Sequence, residues 1–143
     1  ITAAEVRQAR DALSTATGGS IDAVALGSPH FSADEVRALA LLAAGRRFRI
    51  PVYVCTGRHT VDALAGEGVR DDLEAQGAIF VVDTCVVVTP VLPAGGGTMM
   101  TNSGKFAHYA APNTGYGVVF GSLADCVETA VSGDLWREAA AWR

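Results

Sequence analysis

The stretch AVALGSPHFSADEVRALALLAAGRRFRIPVYVC, residues 23–55, places one amphipathic segment between two short apolar ones. Residues 23–26 and 52–55 are apolar throughout, which is typical of strands buried on both faces of a sheet. Between them Ser32 and Glu35 form a capping box, and the apolar residues that follow recur at helical spacing. The stretch therefore predicts a strand, a helix and a second strand parallel to the first.

The same alternation continues along the rest of the chain. We predict these further elements in chain order: a helix capped by Thr2 and Glu5, a broken helix over 59–65 and 69–76, a strand over 79–82, residues 86–88 that could extend as a strand, a strand over 98–101, a short helix from about Ser103, a strand over 118–120 and a helix from Ser122 to Ser132. Strands that alternate with helices predict an α/β fold, with a mostly parallel sheet flanked by helices on both faces. No repeat or linker divides residues 1–143, so we expect one domain.

Composition excludes several classes of protein. Half of the 143 residues are apolar, 18% are charged, and the net charge of -4 comes from interspersed residues rather than blocks. We therefore expect neither disorder nor a nucleic-acid partner. No apolar run approaches the roughly 18 residues of a membrane-spanning helix, and no signal peptide opens the chain, which makes the cytoplasm the default location. Because Ile1 begins inside a helical pattern without an initiator Met, we expect a fragment of a longer polypeptide.

Polar side chains follow the first predicted strand, where ligands of such sheets bind. Ser28 and His30 lead into a capped helix whose free N–H groups could hold an anion, and His30 adds an imidazole, a common proton donor in active sites. A plain turn and helix cap with a structural histidine is the alternative interpretation. These two residues are candidates for substrate binding and proton transfer.

Arg58 follows the second predicted strand in a short bend that leads into a helix. Its planar guanidinium suits a carboxylate or a phosphate, which makes it a candidate anion clamp. The alternative is a surface arginine paired with Asp62 or Glu67.

The three cysteines are odd in number and widely spaced, which argues against a disulfide framework. Cys55 and Cys85 come at the ends of the second and third predicted strands, so they could meet at one metal or cluster. Each could equally be a small buried apolar residue. Core packing is the better interpretation of Cys126, which lies on the apolar face of a predicted helix.

Asn102, Ser103 and Lys105 open a predicted helix that could bind an oxyanion through backbone N–H groups and one mobile charge. The stretch is not a phosphate-binding loop, because Phe106 stands where that motif requires Ser or Thr. A G-x-G-x-x-G pattern is also absent, which weakens the case for a nucleotide-phosphate enzyme of Rossmann type.

Three motifs together resemble the aconitase X family: ALGSPHFS at residues 25–32, DTCVV at 83–87 and TNSGKFAHY at 101–109. They occur in the order that the family shows. The resemblance extends from about residue 23 to 126 and corresponds to the carboxyl-terminal part of the family's large catalytic portion. It implies an aconitase-like domain, a fragment of a longer dehydratase.

The resemblance implies a hydro-lyase with an iron–sulfur cluster, of the [2Fe–2S] type, or a mononuclear iron. Bacterial members of the family dehydrate cis-3-hydroxy-L-proline and archaeal members dehydrate mevalonate 5-phosphate. Cys85 is the iron ligand that the resemblance implies, and we take Cys55 as a hypothetical second ligand. Met100 stands where true aconitases have a cluster cysteine, so the metal site must be built differently. Ser28, where archaeal relatives tend to have Cys, favours the hydroxyproline substrate.

On this interpretation His30 donates a proton or orients a water, and the substrate-binding residues are Ser28, Arg58, Asn102, Ser103 and Lys105. The resemblance places the proton-abstracting serine on a smaller swivelling domain, so we expect the remaining large and small domains as partners and an inactive isolated chain. A non-enzymatic α/β module that binds a small anion stays an alternative.

Overall fold

The structure is a computed structural model that describes residues 1–138. Its helices are Ala3–Leu13 (α1), Ala33–Ala43 (α2), Arg58–Ala63 (α3), Val69–Gln76 (α4), Gly104–Thr114 (α5) and Leu123–Ser132 (α6). Its strands are Ala23–Phe31 (β1), Val52–Thr56 (β2), Ala78–Val82 (β3), Thr98–Thr101 (β4) and Gly117–Phe120 (β5). No helix within residues 1–138 has the length and apolar character needed to cross a membrane.

The five strands form one sheet in the order β3-β2-β1-β4-β5, and every pairing in it is parallel. This confirms the predicted α/β fold. From β1 the chain adds β2 and β3 on one side, and it then returns to add β4 and β5 on the other. The carboxyl ends of β1 and β4 therefore flank the switch point of the sheet, the place where ligands of open α/β sheets bind.

Helices cover both faces of the sheet, as predicted. Val24 and Leu26 of β1 pack into the core formed with α2, α4 and α6, whereas Ala23 and Ala25 pack into the core formed with α5. Successive strand residues point to opposite faces, so uninterrupted apolar strands supply both cores.

Strand β1 is longer than predicted. The strand signal ends at Leu26, yet β1 resumes after an irregularity in its pairing with β2, and Phe31 lies opposite Thr56. The Phe31 carbonyl accepts hydrogen bonds from the hydroxyls of Thr56 at 2.7 Å and Thr60 at 3.3 Å. Strand β1 extends to Phe31 because of contacts with residues distant in sequence, and the local apolar pattern does not predict this extension.

The prediction that residues 86–88 could extend as a strand is wrong, because these residues form a turn after β3. The N–H groups of Val88 and Thr89 both donate to the Cys85 carbonyl, at 3.1 and 3.0 Å. Those local hydrogen bonds curl the backbone back on itself and leave it unavailable for a ladder.

Gly27 lies at the irregularity of β1 and should not tolerate a side chain. Its φ is +76°, and a Cβ there would lie 2.2 Å from the Cys55 carbonyl oxygen. Gly45 has nearly the same φ, +75°, but open space around it. We expect Gly45→Ala to cost about 1–2 kcal/mol of unfolding free energy for the left-handed backbone alone. Gly27→Ala should cost about 2 kcal/mol more, because the clash adds to the backbone strain.

Urea unfolding of the 143-residue chain and its two variants measures this difference. Equal losses of unfolding free energy in Gly27→Ala and Gly45→Ala would contradict the close approach of β1 to β2.

Candidate active site at the switch point of the sheet

A hydrogen bond joins the carboxyl ends of the neighbouring strands β1 and β4. The Ser103 hydroxyl, at the amino-terminal cap of α5, donates to the Ser28 carbonyl of β1. The same hydroxyl accepts the N–H of Phe106 at 3.1 Å and so caps α5. Ser103 therefore fixes the start of α5 against the end of β1, and its O–H donor and one of its two lone pairs are used for this. The predicted role of Ser103 in substrate binding stays a prediction, and other atoms of this turn would have to make the contact with the substrate.

A cavity of about 270 Å³ opens beside this hydrogen bond. Its lining consists of Ser28, Cys85, Val87, Val88, Lys105, Tyr109 and Asn113. Three of the residues that the sequence singles out, Ser28, Cys85 and Lys105, thus meet at one place although they come from three separate segments. Lys105 is the single lysine of the chain, and it makes no ion pair within residues 1–138. Its charge is available to an anion in the cavity.

A second cavity of about 240 Å³ contains His30 and Asn102. Ser28 and Ser103 also line it, and because Ser28 lines the first cavity as well, the two cavities meet at the end of β1. The Oδ1 atom of Asn102 is buried and has no hydrogen-bond partner within the described chain. A buried polar atom without a partner is unusual in a folded protein and indicates a place for a ligand or a water.

Arg58 lines neither of these cavities. Its guanidinium pairs with the Asp83 carboxylate at 2.9 Å and its N–H donates to the same carboxylate at 2.8 Å. The ion-pair partner is therefore Asp83 rather than Asp62 or Glu67, the two that the sequence suggested. The Arg58 side chain is 78% exposed and its charge is paired with that of Asp83, which makes it a weaker anion clamp than Lys105.

Asp83 and His59 complete a polar cluster that sequence reasoning missed. The pKa of the Asp83 carboxyl lies below its ordinary value, first because the Arg58 N–H donates to it, and further because the Arg58 guanidinium and His30 lie nearby. A Cβ built on Gly57 would lie 2.5 Å from His59 Cε1 and 3.5 Å from His30 Nδ1, so the two imidazoles converge over that glycine. The position of Asp83 directly after β3 was the signal that could have identified it.

The two candidate metal-binding thiols lie in different surroundings. Cys85 is half-buried at the wall of the first cavity, whereas Cys55 is 1% exposed within the core beneath it. Burial is the main reason that the pKa of the Cys55 thiol rises to about 11; the Val86 N–H opposes that rise and the Cys85 thiol adds to it. Cys126 is fully buried in the core on the opposite face of the sheet, which confirms its predicted packing role.

These thiols fit only part of the ligand set of an iron centre. Iron–sulfur clusters are usually held by four side-chain ligands, mostly thiolates. Among residues 1–138 no group of three or more His, Cys, Asp or Glu side chains is arranged to hold a metal ion. The described residues offer Cys85 and, after deprotonation of a buried thiol, Cys55. Any metal centre here would need further ligands from outside this part of the protein.

A parallel sheet with polar residues gathered at its switch point defines an α/β ligand-binding domain. The chain belongs to the aconitase X family: residues 21–132 match the family model described as the aconitase X third domain. The crystal structure of aconitase X from Thermococcus kodakaraensis, in its holo form, is similar to this structure, with a TM-score of 0.76 and 26% sequence identity. The similarity covers 89% of this chain and 33% of that chain. The comparison agrees with the aconitase-like fold that the sequence predicted.

Two kinds of dehydratase are similar in sequence to this chain. Cis-3-hydroxy-L-proline dehydratase from Pseudomonas aeruginosa is 42% identical over 141 residues, which cover 96% of this chain and 24% of that protein. The enzyme of the same name from Hypocrea jecorina is 40% identical over 117 residues, 79% of this chain and 20% of that protein. The phosphomevalonate dehydratase large subunit from Methanothermobacter thermautotrophicus is 34% identical over 120 residues, 84% of this chain and 30% of that subunit. The chain thus spans about a quarter of the hydroxyproline dehydratases that it matches.

Ser103 should contribute more stability than an ordinary helix cap. Ser122 caps α6 in the corresponding way, through a 3.0 Å hydrogen bond from the Asp125 N–H, but it joins no second strand. We expect Ser122→Ala to cost about 1 kcal/mol of unfolding free energy, the usual value of an N-cap. Ser103→Ala should cost about 2–3 kcal/mol, because it also leaves the Ser28 carbonyl without its donor. Urea unfolding of the chain gives both values, and a Ser103→Ala loss no larger than that of Ser122→Ala would contradict the bridging role.

Proposed function

We propose that this chain is the third domain of a hydro-lyase that removes water from a small 3-hydroxy acid, with cis-3-hydroxy-L-proline as the substrate. The observation that carries the proposal is the cavity in which Ser28, Cys85 and Lys105 meet at the switch point of the sheet. The 42% identity to the Pseudomonas aeruginosa enzyme supports the choice of substrate.

The carboxylate of the substrate would bind at the start of α5. Lys105 supplies a full positive charge there, and the N–H groups of Gly104 and Lys105, in the first turn of α5, have no acceptor in the part of the chain that the structure describes. Unpaired N–H groups and the helix dipole favour an anion at this end of a helix. Arg58 would assist only by giving up part of its interaction with Asp83.

Departure of the hydroxyl group requires a proton, and we assign its donation to His30. His30 is exposed and lines the second cavity together with Asn102 and Ser28. An imidazole can donate a proton near neutral pH, either directly to the departing oxygen or through an oriented water. The unpartnered Oδ1 of Asn102 could accept a hydrogen bond from the substrate amine. Ser28 lines both cavities, so it would contact a substrate whose carboxylate faces Lys105 and whose hydroxyl faces His30.

An iron–sulfur cluster, of the [2Fe–2S] type, or a mononuclear iron would act as a Lewis acid that polarises the departing hydroxyl group. Cys85 would hold it at the cavity wall. Cys55 is the weaker candidate, because its thiol is buried and its pKa is raised to about 11. The remaining ligands would come from other domains of the protein.

We assign the base that removes the α-proton to the smaller swivelling domain. The remaining large and small domains are therefore the proposed partners, and residues 1–143 by themselves should be inactive. The cytoplasmic location stays a prediction.

Mevalonate 5-phosphate is the second candidate substrate, supported by the 34% identity to the Methanothermobacter thermautotrophicus subunit. That molecule carries a phosphate in addition to its carboxylate and so needs more positive charge. Among the residues that line the two cavities, Lys105 is the single permanent cation. The charge of the described site therefore favours the hydroxyproline.

Kinetic measurements on the complete protein test the proposal. We expect water loss from cis-3-hydroxy-L-proline with a kcat/KM at least about 100-fold above that for mevalonate 5-phosphate. Lys105→Met should lower kcat/KM about 10- to 100-fold through the lost charge–carboxylate contact. Arg47→Met, which removes an exposed cation next to the groove between α2 and α4, should have no effect. Binding of carboxylates without turnover of either substrate would instead indicate a non-enzymatic module.

Iron analysis of the same preparations shows which cysteine thiols bind the metal. Cys85→Ser should lose iron and visible absorption, whereas Cys126→Ser, with its thiol in the opposite core, should retain both. Unchanged iron in Cys85→Ser or Cys55→Ser removes that residue from the proposed ligand set.

A further inference from the structure

The wall of the first cavity contains apolar side chains that are not buried in the core. Tyr109 is 50% exposed and Val88 is 74% exposed, and both line the cavity that contains Lys105. Apolar surface that lines a concave site beside a few polar groups is typical of small-molecule binding. Neither residue has a role in the proposed chemistry, so their exposure at this place needs another explanation.

Helix α5 fixes Tyr109 relative to Lys105. The two residues are four positions apart, so their side chains leave the same face of the helix one turn from each other. The Tyr109 ring makes an edge-to-face contact with His108, with 4.8 Å between ring centroids and 88° between planes. Asn113, one further turn along the helix, donates to the Tyr109 carbonyl at 2.6 Å and lines the same cavity. Tyr109 therefore presents a half-exposed aromatic side chain to the cavity, one helical turn from Lys105.

We infer that Tyr109 is a specificity-determining residue that packs against the pyrrolidine ring of the substrate while Lys105 holds its carboxylate. The inference rests on the proposed function and deepens it. A pyrrolidine ring offers apolar methylene groups to an aromatic face. An open-chain 3-hydroxy amino acid has the same reacting atoms but less apolar surface, and it must also lose rotational freedom on binding.

The size and charge of the cavity agree with a small cyclic amino acid. Its volume of about 270 Å³ lies just below the lower end of the range typical of drug-sized ligands, roughly 300–1,000 Å³. Val87 and Val88 extend the apolar wall beside Tyr109, and Lys105 supplies charge for one carboxylate. The cavity therefore matches a ligand with one anionic group and one compact apolar ring.

The test uses the complete protein and compares Tyr109→Ala, Tyr109→Phe and the control Leu41→Ala. Leu41 is an 81% exposed apolar residue on α2, remote from both cavities. Steady-state kinetics with cis-3-hydroxy-L-proline give KM and kcat. Titration with L-proline, which keeps the ring and carboxylate but lacks the hydroxyl, gives a Kd that does not depend on turnover.

We expect Tyr109→Ala to raise both KM and the Kd of L-proline about 5- to 10-fold, with kcat changed by less than about 2-fold, because the ring contact is the same in ground and transition states. Tyr109→Phe should restore wild-type values within about 2-fold, since it keeps the ring. Leu41→Ala should match the wild type. The thermal midpoint of each variant, measured alongside, identifies a variant that has failed to fold. If Tyr109→Ala fails to fold, the comparison of Tyr109→Phe with the wild type is used in its place.

An active enzyme whose KM and Kd are unchanged by Tyr109→Ala would overturn the inference and leave the proposed function intact. Loss of association with the remaining domains at an unchanged Kd for L-proline would also overturn it, because Tyr109 would then be an interface residue. If the wild type lacks dehydratase activity but Tyr109→Ala weakens L-proline binding as expected, the ring contact stands and the proposed function fails.

Discussion

The hydrogen bond from the Ser103 hydroxyl to the Ser28 carbonyl holds together the part of the molecule where chemistry is expected. It joins the carboxyl ends of β1 and β4, the strands from which the chain builds the sheet in opposite directions. Because the same hydroxyl caps α5, the start of that helix cannot move independently of β1. This cap, together with the burial of Phe106, Ala107 and Ala110 against the sheet, sets the positions of Lys105 and Tyr109 relative to the end of β1.

The charges near this junction fall into two groups. Arg58 and Asp83 neutralise each other where β2 and β3 end, so this pair stiffens the edge of the site more than it attracts a ligand. Lys105 has no carboxylate partner among the described residues and faces the cavity. An anion is therefore expected to bind on the α5 side of the junction, next to Cys85 and apart from the arginine.

Local sequence patterns predicted most of the helices and strands but not the order of the strands in the sheet. Local patterns identified all five strands, and capping residues identified the starts of three helices, because both signals lie within a few consecutive residues. The Arg58–Asp83 pair joins residues 25 positions apart, and the return of β1 after Leu26 depends on its pairing with β2. Such contacts are set by sheet order, which no local pattern encodes. Tyr109 was missed because one aromatic residue in a helix does not show which face meets a cavity.

A crystal structure of the complete protein with bound L-proline tests the central claim most directly, namely that the ligand lies at the switch point between β1 and β4. The account predicts a carboxylate oxygen about 3 Å from the Lys105 Nζ atom, at ordinary hydrogen-bond distance, and the ring beside Tyr109. L-Proline bound elsewhere, for example in the groove between α2 and α4 that Arg47 and Gln76 line, would contradict it.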